Sequence, residues 1–445
     1  MKVQRMNLIK TLLIVFITIG LLTFQSCSKS EDSIAGVDEN TSVEMSSEDL
    51  RDLTASDLEN MKEILKASGV DVDSLDIYAN QTETTGNSQQ NNAPSSIADI
   101  LVKVIKVSTT TASPDGSGAT IPISGVLLVP RINLFPVRIL VAPVYTYTNN
   151  DEAPSNVFKT LSMKTNNGDI NYLYFLTLQA TQGFAVLFPD YPGFGDSYQK
   201  AFFPFLVKEP VVTSTIDLIK AAQETLKKNR YSYKKELFLT GYSFGAYAAT
   251  ALAKELDTST DMPIKLTVVG GTPLDLIDMV NYAKKEKTLP ASFIYPYALM
   301  SYNMNEKNTP FELSDFLKAP YDKNYLLNAF GGTYYATQMG TLFPNAPSEL
   351  FTEEAITQFD TSPKFANIRY LLNKNSIEPW KNVNKIVFVH GTSDNLVYYE
   401  IAKNFYIKQK DLGGNVSFTP IIAADHFLAI VGYYTELTAL LSLYR

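Results

Sequence analysis

The stretch ELFLTGYSFGAYAATALAKEL, residues 236–256, places a serine between two glycines where one sequence pattern gives way to another. ELFLT is short and apolar, as in a buried strand, whereas the alanine-rich run from Ala246 is typical of a helix. A strand that turns this sharply into a helix strains the residue at its tip, and Gly241 and Gly245 remove side chains that would collide there. The pattern predicts that Ser243 projects from the carboxyl-terminal edge of a sheet, where α/β proteins bind ligands. The simpler alternative is that GYSFG is a tight turn in which Ser243 has no catalytic role.

From Ile97 onwards, short apolar segments alternate with segments of helical spacing. The predicted strands are rich in Val, Ile, Leu and Phe, as strands buried on both faces should be. In chain order they are ISGVLLVP, VRILVAPV, GFAVLFPDY, ELFLTGYS, KLTVVGG, NKIVFVHG and VSFTPIIA. The predicted helices between them are NYLYFLTLQATQ, VVTSTIDLIKAAQETLKKN, the run after GYSFG, and YYEIAKNFYIKQKDLG. This alternation predicts the α/β class with a doubly wound, mostly parallel sheet.

The alternation of strands and helices is interrupted between Leu276 and Asn375. No strand pattern of comparable strength appears over this range, and a loop of such length without secondary structure is uncommon in a compact domain. Aromatic residues are frequent there: Phe293, Tyr295, Tyr297, Tyr302, Phe311, Phe316, Tyr321, Tyr325, Phe330, Tyr334 and Tyr335. We expect residues 276–375 to form an inserted helical cap subdomain that covers the cleft above Ser243.

A serine hydroxyl becomes a good nucleophile when a base takes its proton, and the usual base is an imidazole. The chain has 2 histidines, His390 at the end of the NKIVFVHG segment and His426 after the last predicted strand. This turn resembles that of the α/β-hydrolase arrangement, in which the chain order of the triad is serine, then Asp or Glu, then histidine. Only His426 leaves room for an acid after Ser243. We therefore predict that His426 is the base and that His390 has a role in a turn or behind the site.

The segment HGTSDNLVYYE supplies the acid, Asp394. One predicted helix and one predicted strand separate Asp394 from His426, and such a connection returns both loops to the same end of the sheet. A carboxylate at Asp394 would accept the Nδ1 proton of His426, fix its tautomer and stabilise the imidazolium. The sequence thus predicts a catalytic triad of Ser243, Asp394 and His426.

The chain from about Ile97 to Arg445 resembles serine hydrolases of the α/β-hydrolase fold. The resemblance rests on the elbow GYSFG, the acid loop HGTSDNLV, the dipeptide DH at 425–426, and PDYPGFGDS, which is similar to a turn in many esterases and lipases. With the large insert before the acid, the chain resembles secretory lipases of the fungal type and related bacterial esterases. The resemblance implies hydrolysis of a small-molecule or lipid ester through an acyl-enzyme, with no metal or organic cofactor.

The resemblance also implies an oxyanion hole made of two backbone N–H groups. One N–H belongs to the residue after the nucleophile, Phe244. The other is expected in the loop APVYTYTNNDEAPS, where Tyr145 and Thr146 are the candidates. This loop lacks the HGGG or HG signature of many lipases, which leaves the subclass of substrate open.

Two other functions remain open from the sequence. A peptidase of the prolyl-oligopeptidase kind, or another acyl hydrolase, would share the fold and the triad, although the region before Ile97 is too short for the propeller of such peptidases. A surface lipoprotein that keeps the fold only to bind a ligand or partner is the other interpretation. A complete triad in the correct order argues against such a catalytically inactive protein.

The N-terminus resembles a bacterial secretion signal. Positive charges within the first ten residues precede an uncharged apolar run from Thr11 to Phe24, which is short for a membrane span. The run is followed by Cys27, the only cysteine, in a setting that resembles the lipobox of bacterial lipoproteins. We expect residues 1–26 to be a signal peptide and Cys27 to be lipidated. The protein would then be anchored in the cell envelope, at the outer membrane and its surface, or be secreted if the cysteine is incidental.

Between the signal and the globular domain, the chain is polar. Residues 27–96 are predicted to form a tether, because QTETTGNSQQNNAPSS is typical of a flexible linker. Leucines at helical spacing predict a short helix between Ser46 and Ser68. Residues 97–445 then form the hydrolase domain. The formal charge of −8 and the absence of long basic runs argue against nucleic acid as a partner, and the sequence holds no His and Cys cluster of the zinc-binding type.

Overall fold

The computed structural model describes most of the chain after residue 99. The described residues are 45–49, 53–54, 100–131, 135–160 and 170–444. Cys27, the signal peptide predicted at 1–26 and most of the tether predicted at 27–96 lie outside them. None of the helices within the described ranges is both long enough and apolar enough to cross a membrane.

Ten strands of the described chain form one sheet. They are β1 (Ser46–Asp49), β2 (Leu53–Thr54), β3 (Ile100–Ala112), β4 (Thr120–Pro130), β5 (Val137–Val141), β6 (Phe184–Pro189), β7 (Tyr233–Tyr242), β8 (Ile264–Gly270), β9 (Lys385–Gly391) and β10 (Val416–Ile421). The order across the sheet is β1-β3-β4-β6-β5-β7-β8-β9-β10, with β2 also paired to β3. Every pair from β6 to β10 is parallel, whereas β1, β2 and β4 run antiparallel to their neighbours. The predicted mostly parallel sheet is confirmed.

Helices connect the strands. In chain order they are α1 (Pro154–Thr160), α2 (Ile170–Ala180), α3 (Lys208–Lys228), α4 (Phe244–Glu255), α5 (Leu276–Ala283), α6 (Ile294–Asn305), α7 (Lys323–Ala329), α8 (Ala336–Leu342), α9 (Pro347–Leu350), α10 (Glu353–Thr357), α11 (Ala366–Asn375), α12 (Tyr399–Asp411) and α13 (Ala429–Ser442). Helices α3 and α4 pack against each other, and α2 meets α13 through the stacked rings of Phe175 and Tyr434, 3.8 Å apart. The predicted α/β class with a doubly wound sheet is confirmed.

All seven strands predicted from apolar runs are present, as β4 to β10. Their side chains form the core: Leu140, Val141 and Val268 are fully buried, and burial of such side chains contributes about 1.5–3 kcal/mol each. Strand β3 was not among the predictions. It pairs along its length with β4, from Val102 opposite Pro130 to Ala112 opposite Thr120. Two lysines interrupt its apolar residues and its second half contains STTT, so it lacks the continuous apolar run of the central strands.

The helix predicted between Ser46 and Ser68 is wrong at its start. Ser46–Asp49 is a strand that pairs antiparallel with β3, and the Asp49 carboxylate also binds Lys103 Nζ at 3.0 Å. The edge of β3 offers unpaired backbone N–H and C=O groups, and pairing with them outweighs a weak helical pattern. Residues 55–68 lie outside the described residues.

The inserted helical subdomain lies between β8 and β9. Helix α5 begins at Leu276 and α11 ends at Asn375, so the seven helices α5 to α11 occupy the predicted range. Its aromatic residues pack partly on one another, as in the stack of Tyr297 on Phe330, whose ring centroids are 4.3 Å apart. Tyr297 also stacks on Phe205 of the sheet domain, with ring centroids 4.9 Å apart, so the aromatic residues of the insert pack both on one another and on the sheet domain.

Candidate active site

Ser243 occupies the turn between β7 and α4. Its φ of 56° and ψ of −124° are rare for a residue with a side chain, and such strain persists where the surrounding structure enforces it. Its N–H donates to the carbonyl of Gly270 at the end of the neighbouring strand β8, at 2.9 Å. The backbone thus holds Ser243 in a strained conformation at the carboxyl end of the parallel strands.

The two glycines beside Ser243 are required by close backbone approaches. A Cβ atom on Gly241 would overlap the backbone of Gly245, and one on Gly245 would overlap the carbonyl oxygen of Pro143. The first contact allows the chain to reverse directly from strand to helix. The second brings the loop after β5 against the first turn of α4, so that loop lies beside Ser243.

His426 and Asp394 form a direct hydrogen bond. His426 Nδ1 lies 2.7 Å from Asp394 Oδ2, and both residues are buried. The other carboxylate oxygen, Oδ1, accepts the N–H groups of Leu396 at 3.0 Å and Val397 at 2.8 Å. These bonds fix the carboxylate, and because it is an acceptor, the proton of a neutral His426 lies on Nδ1 and leaves Nε2 free to accept one.

His390 contacts the same carboxylate from another direction. Its Nε2 lies 2.7 Å from the carbonyl oxygen of Val397 and 3.2 Å from Asp394 Oδ2. A carbonyl oxygen can only accept, so the His390 proton is on Nε2. Burial raises the pKa of Asp394, but the charge of His426 and the hydrogen bonds from both histidines outweigh it and hold that pKa well below its usual value. The predicted role of His390 behind the site agrees with this placement.

Ser243 and His426 line the same cavity, which has a volume of about 1160 Å³. The loop after β8 brings them near each other: Gly270 binds the Ser243 N–H, and a Cβ on the next residue, Gly271, would lie 2.9 Å from Cε1 of His426. Among the residues that the structure describes, no hydrogen bond joins the Ser243 hydroxyl to the His426 ring. Such bonds are often long or poorly aligned in a ligand-free enzyme.

The three candidate oxyanion residues also line this cavity. Phe244 is the first residue of α4, where a backbone N–H has no partner within the helix. Tyr145 and Thr146 lie in the loop after β5, and all three residues border the cavity with Ser243. All three candidate residues therefore lie at the cavity that Ser243 also lines.

Tyr242 is a site residue that the sequence did not reveal. Its buried hydroxyl donates to the backbone carbonyl of His426 at 2.5 Å, and the two rings are 5.2 Å apart. Tyr242 precedes the serine but lies 184 positions before His426 in the chain. No local pattern links the two residues, so only the folded chain shows that Tyr242 supports the histidine loop.

The PDYPGFGDS segment supports the site from behind. Asp190 is buried, accepts from the Ser124 hydroxyl at 2.5 Å and accepts the N–H of Ser155 at 3.0 Å. Burial raises its pKa, although these hydrogen bonds act in the opposite direction. Asp190 joins β4, β6 and α1, which is a structural role. No group of three or more His, Cys, Asp or Glu residues within the described ranges could hold a metal ion.

The insert supplies much of the apolar wall of the cavity. One face of α5, with Leu276, Met279, Val280 and Ala283, lines it. These residues are three or four positions apart, the spacing of one helical face. Four of the eleven aromatic residues noted in the insert also line it: Phe293, Tyr295, Tyr302 and Phe316. Apolar side chains of the insert thus form part of the wall of the cavity that Ser243 lines, as is usual for sites that bind apolar groups.

This sheet order, with the serine elbow after β7 and a helical insert, defines the α/β-hydrolase fold. The model of the secretory lipase family matches residues 159–303, which include Ser243 and end within the insert. No curated protein matches the sequence. The matched family is a secreted one, which supports an exported protein.

Solved structures of hydrolases resemble the whole domain. A protein from Legionella pneumophila assigned as a hydrolase is 20% identical with a TM-score of 0.71, over 90% of this chain and 97% of that one. The rice cell wall degrading esterase LipA from Xanthomonas oryzae is 18% identical with a TM-score of 0.68, over 90% and 96%. Candida antarctica lipase A in its closed state is 17% identical with a TM-score of 0.58, over 75% and 78%. The predicted resemblance to α/β-hydrolase-fold esterases and lipases is confirmed, and the family match supports the class of carboxylic-ester hydrolase.

Proposed function

We propose that this protein hydrolyses carboxylic esters through Ser243, His426 and Asp394 by way of an acyl-enzyme. The observation that carries the proposal is the bond of 2.7 Å between His426 and the buried Asp394, beside the cavity that Ser243 also lines. This pairing leaves Nε2 of His426 as the base for a serine held at the strained turn. The geometry corresponds to the roles in a serine triad.

The proposed reaction has two halves. The Ser243 hydroxyl attacks the ester carbonyl while His426 takes its proton, and the N–H groups of Phe244 and of Tyr145 or Thr146 stabilise the oxyanion. His426 then returns the proton to the departing alcohol, which leaves the acyl group on Ser243. Water, activated by the same histidine, attacks the acyl-enzyme and releases the acid. Asp394 orients the imidazole and stabilises its charge in both halves.

The cavity favours esters with apolar acyl or aryl groups, including lipid esters. Its wall is formed by aliphatic and aromatic side chains of the insert and of the region around His426. Each CH₂ group buried there contributes about 0.8 kcal/mol to binding. We therefore propose that the insert, rather than the sheet, determines the preferred chain length.

The test of this function is hydrolysis of p-nitrophenyl esters of increasing acyl length by the wild type and by Ser243→Ala. We expect the wild type to prefer medium or long chains and Ser243→Ala to lose several powers of ten in kcat. Ser442→Ala, in α13, serves as a control because its hydroxyl bonds only the carbonyl of Ala439. Cleavage of a proline-containing aminoacyl substrate in preference to esters would favour a peptidase. If no substrate is hydrolysed, the protein is better explained as a catalytically inactive binding protein.

We also propose that the protein is anchored to the cell envelope through a lipid on Cys27. The proposal is supported by the apolar run that precedes the only cysteine. Cys27→Ala should move the protein from the membrane fraction to the soluble one, because lipid chains gain about 0.8 kcal/mol per buried CH₂. Ser28→Ala is the neighbouring control. If Cys27→Ala fractionates like the wild type, the N-terminus is an ordinary secretion signal.

A further inference from the structure

The loop that carries Tyr145 and Thr146 is held by the catalytic domain immediately before and immediately after these two residues. The carbonyl of Val144 accepts the Tyr191 hydroxyl at 2.5 Å. Three residues further on, directly after Thr146, the buried Tyr147 accepts the N–H of Tyr191 through its own hydroxyl at 3.1 Å. Both contacts come from the loop after β6 and belong to the sheet domain.

On its C-terminal side the same loop is fixed by the insert. The Thr148 hydroxyl donates to the carbonyl of Tyr334 at 2.7 Å, and the Asn149 amide donates to the carbonyl of Thr333 at 3.0 Å. The N–H of Asn150 donates to the carbonyl of Gly332 at 2.8 Å. Three successive residues of the loop thus bind residues 332–334 of the insert, about 180 positions later in the chain.

These contacts are buried and closely fitted. Thr148 is fully buried and Asn149 is 5% exposed, and Glu152 Oε2 accepts the backbone N–H groups of both, at 3.3 and 3.1 Å. On the insert side, Gly332 has a φ of +86°, and a Cβ there would lie 2.5 Å from the ring of Tyr198. A residue with a side chain at position 332 would therefore be strained at this φ and would require the Tyr198 ring or the segment itself to shift.

We propose that residues 332–334 of the insert position the oxyanion loop, and that Thr148 is a positioning residue for catalysis. The inference rests on the proposed function, because it takes Tyr145 or Thr146 as the second oxyanion donor. An oxyanion donor works only when its N–H lies 2.7–3.1 Å from the developing charge. Thr148 is two residues from Thr146, so its bond to the insert limits how far that N–H can move. The insert then contributes to the chemical step as well as to the cavity.

The experiment compares Thr148→Val, Thr148→Ser and wild type on p-nitrophenyl butyrate. Loss of one buried hydrogen bond should lower kcat about tenfold with little change in KM, because the oxyanion forms only in the transition state. Thr148→Ser keeps the hydroxyl and should restore kcat to near wild type. The matched control is Thr225→Val in α3, where a buried threonine also donates to a backbone carbonyl, that of Ala221. Its kcat should equal that of wild type.

A second variant, Gly332→Ala, perturbs the same contact from the insert and should also lower kcat more than it raises KM. Thermal melts identify the variants that are folded at the assay temperature. If either folded variant keeps the wild-type kcat, or raises KM alone, the inference is wrong. Ser243→Ala is assayed in parallel. If it still hydrolyses the ester, the proposed function fails, whereas an inactive Ser243→Ala beside a fully active Thr148→Val overturns only the positioning role.

Discussion

At the scale of single residues, the site depends on one carboxylate shared by two histidines. Asp394 Oδ2 lies 2.7 Å from Nδ1 of His426 and 3.2 Å from Nε2 of His390. The order of residues in the chain predicted His426, rather than His390, as the base. The contact of His390 follows from its position at the end of β9, four residues before the acid. Asp394 therefore stays ionised next to the proposed base, which has a consequence for the pH profile.

We expect kcat/KM to fall on acidification with a limiting slope of one in a logarithmic plot. His426 must be neutral to accept the serine proton, so its protonation abolishes the reaction. The pKa of Asp394 is lowered, so this carboxylate remains charged while the histidine takes up its proton, and it adds no second proton to the acid limb. The measurement is kcat/KM for a short p-nitrophenyl ester between about pH 4 and 8.

The control for the pH profile is His390→Gln, whose side-chain amide keeps a donor near the Nε2 position. This variant should retain the acid limb, whereas His426→Gln should be nearly inactive across the whole range. A slope of two in the wild type, or loss of the acid limb in His390→Gln, would show that another group controls the reaction.

At the scale of secondary structure, two helices determine the shape of the site. Helix α4 begins directly after Ser243 and presents the N–H of Phe244. Helix α5 leaves the sheet after β8 and lines the cavity along one face, from Leu276 to Ala283. At a rise of 1.5 Å per residue, Leu276 and Ala283 are about 10 Å apart along the axis of α5. Side chains on this face of α5 therefore contact the cavity at positions up to about 10 Å apart.

Ala283→Phe should shorten the preferred acyl chain. Ala283 lines the cavity at the end of α5 and is 6% exposed, so a phenyl ring there would fill space available to a long acyl chain. We expect kcat/KM for the longest p-nitrophenyl esters to fall at least tenfold, while the acetate ester is hydrolysed at the wild-type rate. The acetate rate also serves as the control for folding. An unchanged chain-length profile in an active variant would show that α5 does not bind the acyl group.

At the scale of the whole molecule, the sequence predicted the central sheet well and the connections between distant parts poorly. Strands β5, β6, β8 and β9 are apolar runs because nearly all of their residues are buried. The edge strand β10 is only partly buried, but its residues are still mostly apolar. The segment Ser46–Asp49 was predicted as part of a helix but is an edge strand. It is held by backbone pairing with β3, and such a strand needs no apolar sequence pattern. The bond of Thr148 to the insert and that of Tyr242 to His426 each join residues more than 180 positions apart. Such contacts follow from chain topology rather than from local pattern.

The helices of the insert illustrate the same limit. The sequence indicated a helical, aromatic subdomain between Leu276 and Asn375, but not its individual helices. Several are short, such as α9 with 4 residues and α10 with 5. Isolated helices of this length are not stable, so tertiary packing determines where they form. Composition and loop length were therefore enough to predict the subdomain and not its internal arrangement.

The most direct test of the central claim is to identify the residue that reacts covalently with a fluorophosphonate. The probe imitates an ester at the point where the serine attacks, and peptide mapping by mass spectrometry locates the adduct. We predict a single adduct on the peptide that contains Ser243, formed rapidly by wild type and absent in Ser243→Ala. An adduct on a different residue, or ester hydrolysis that continues after Ser243 has been fully modified, would contradict the account.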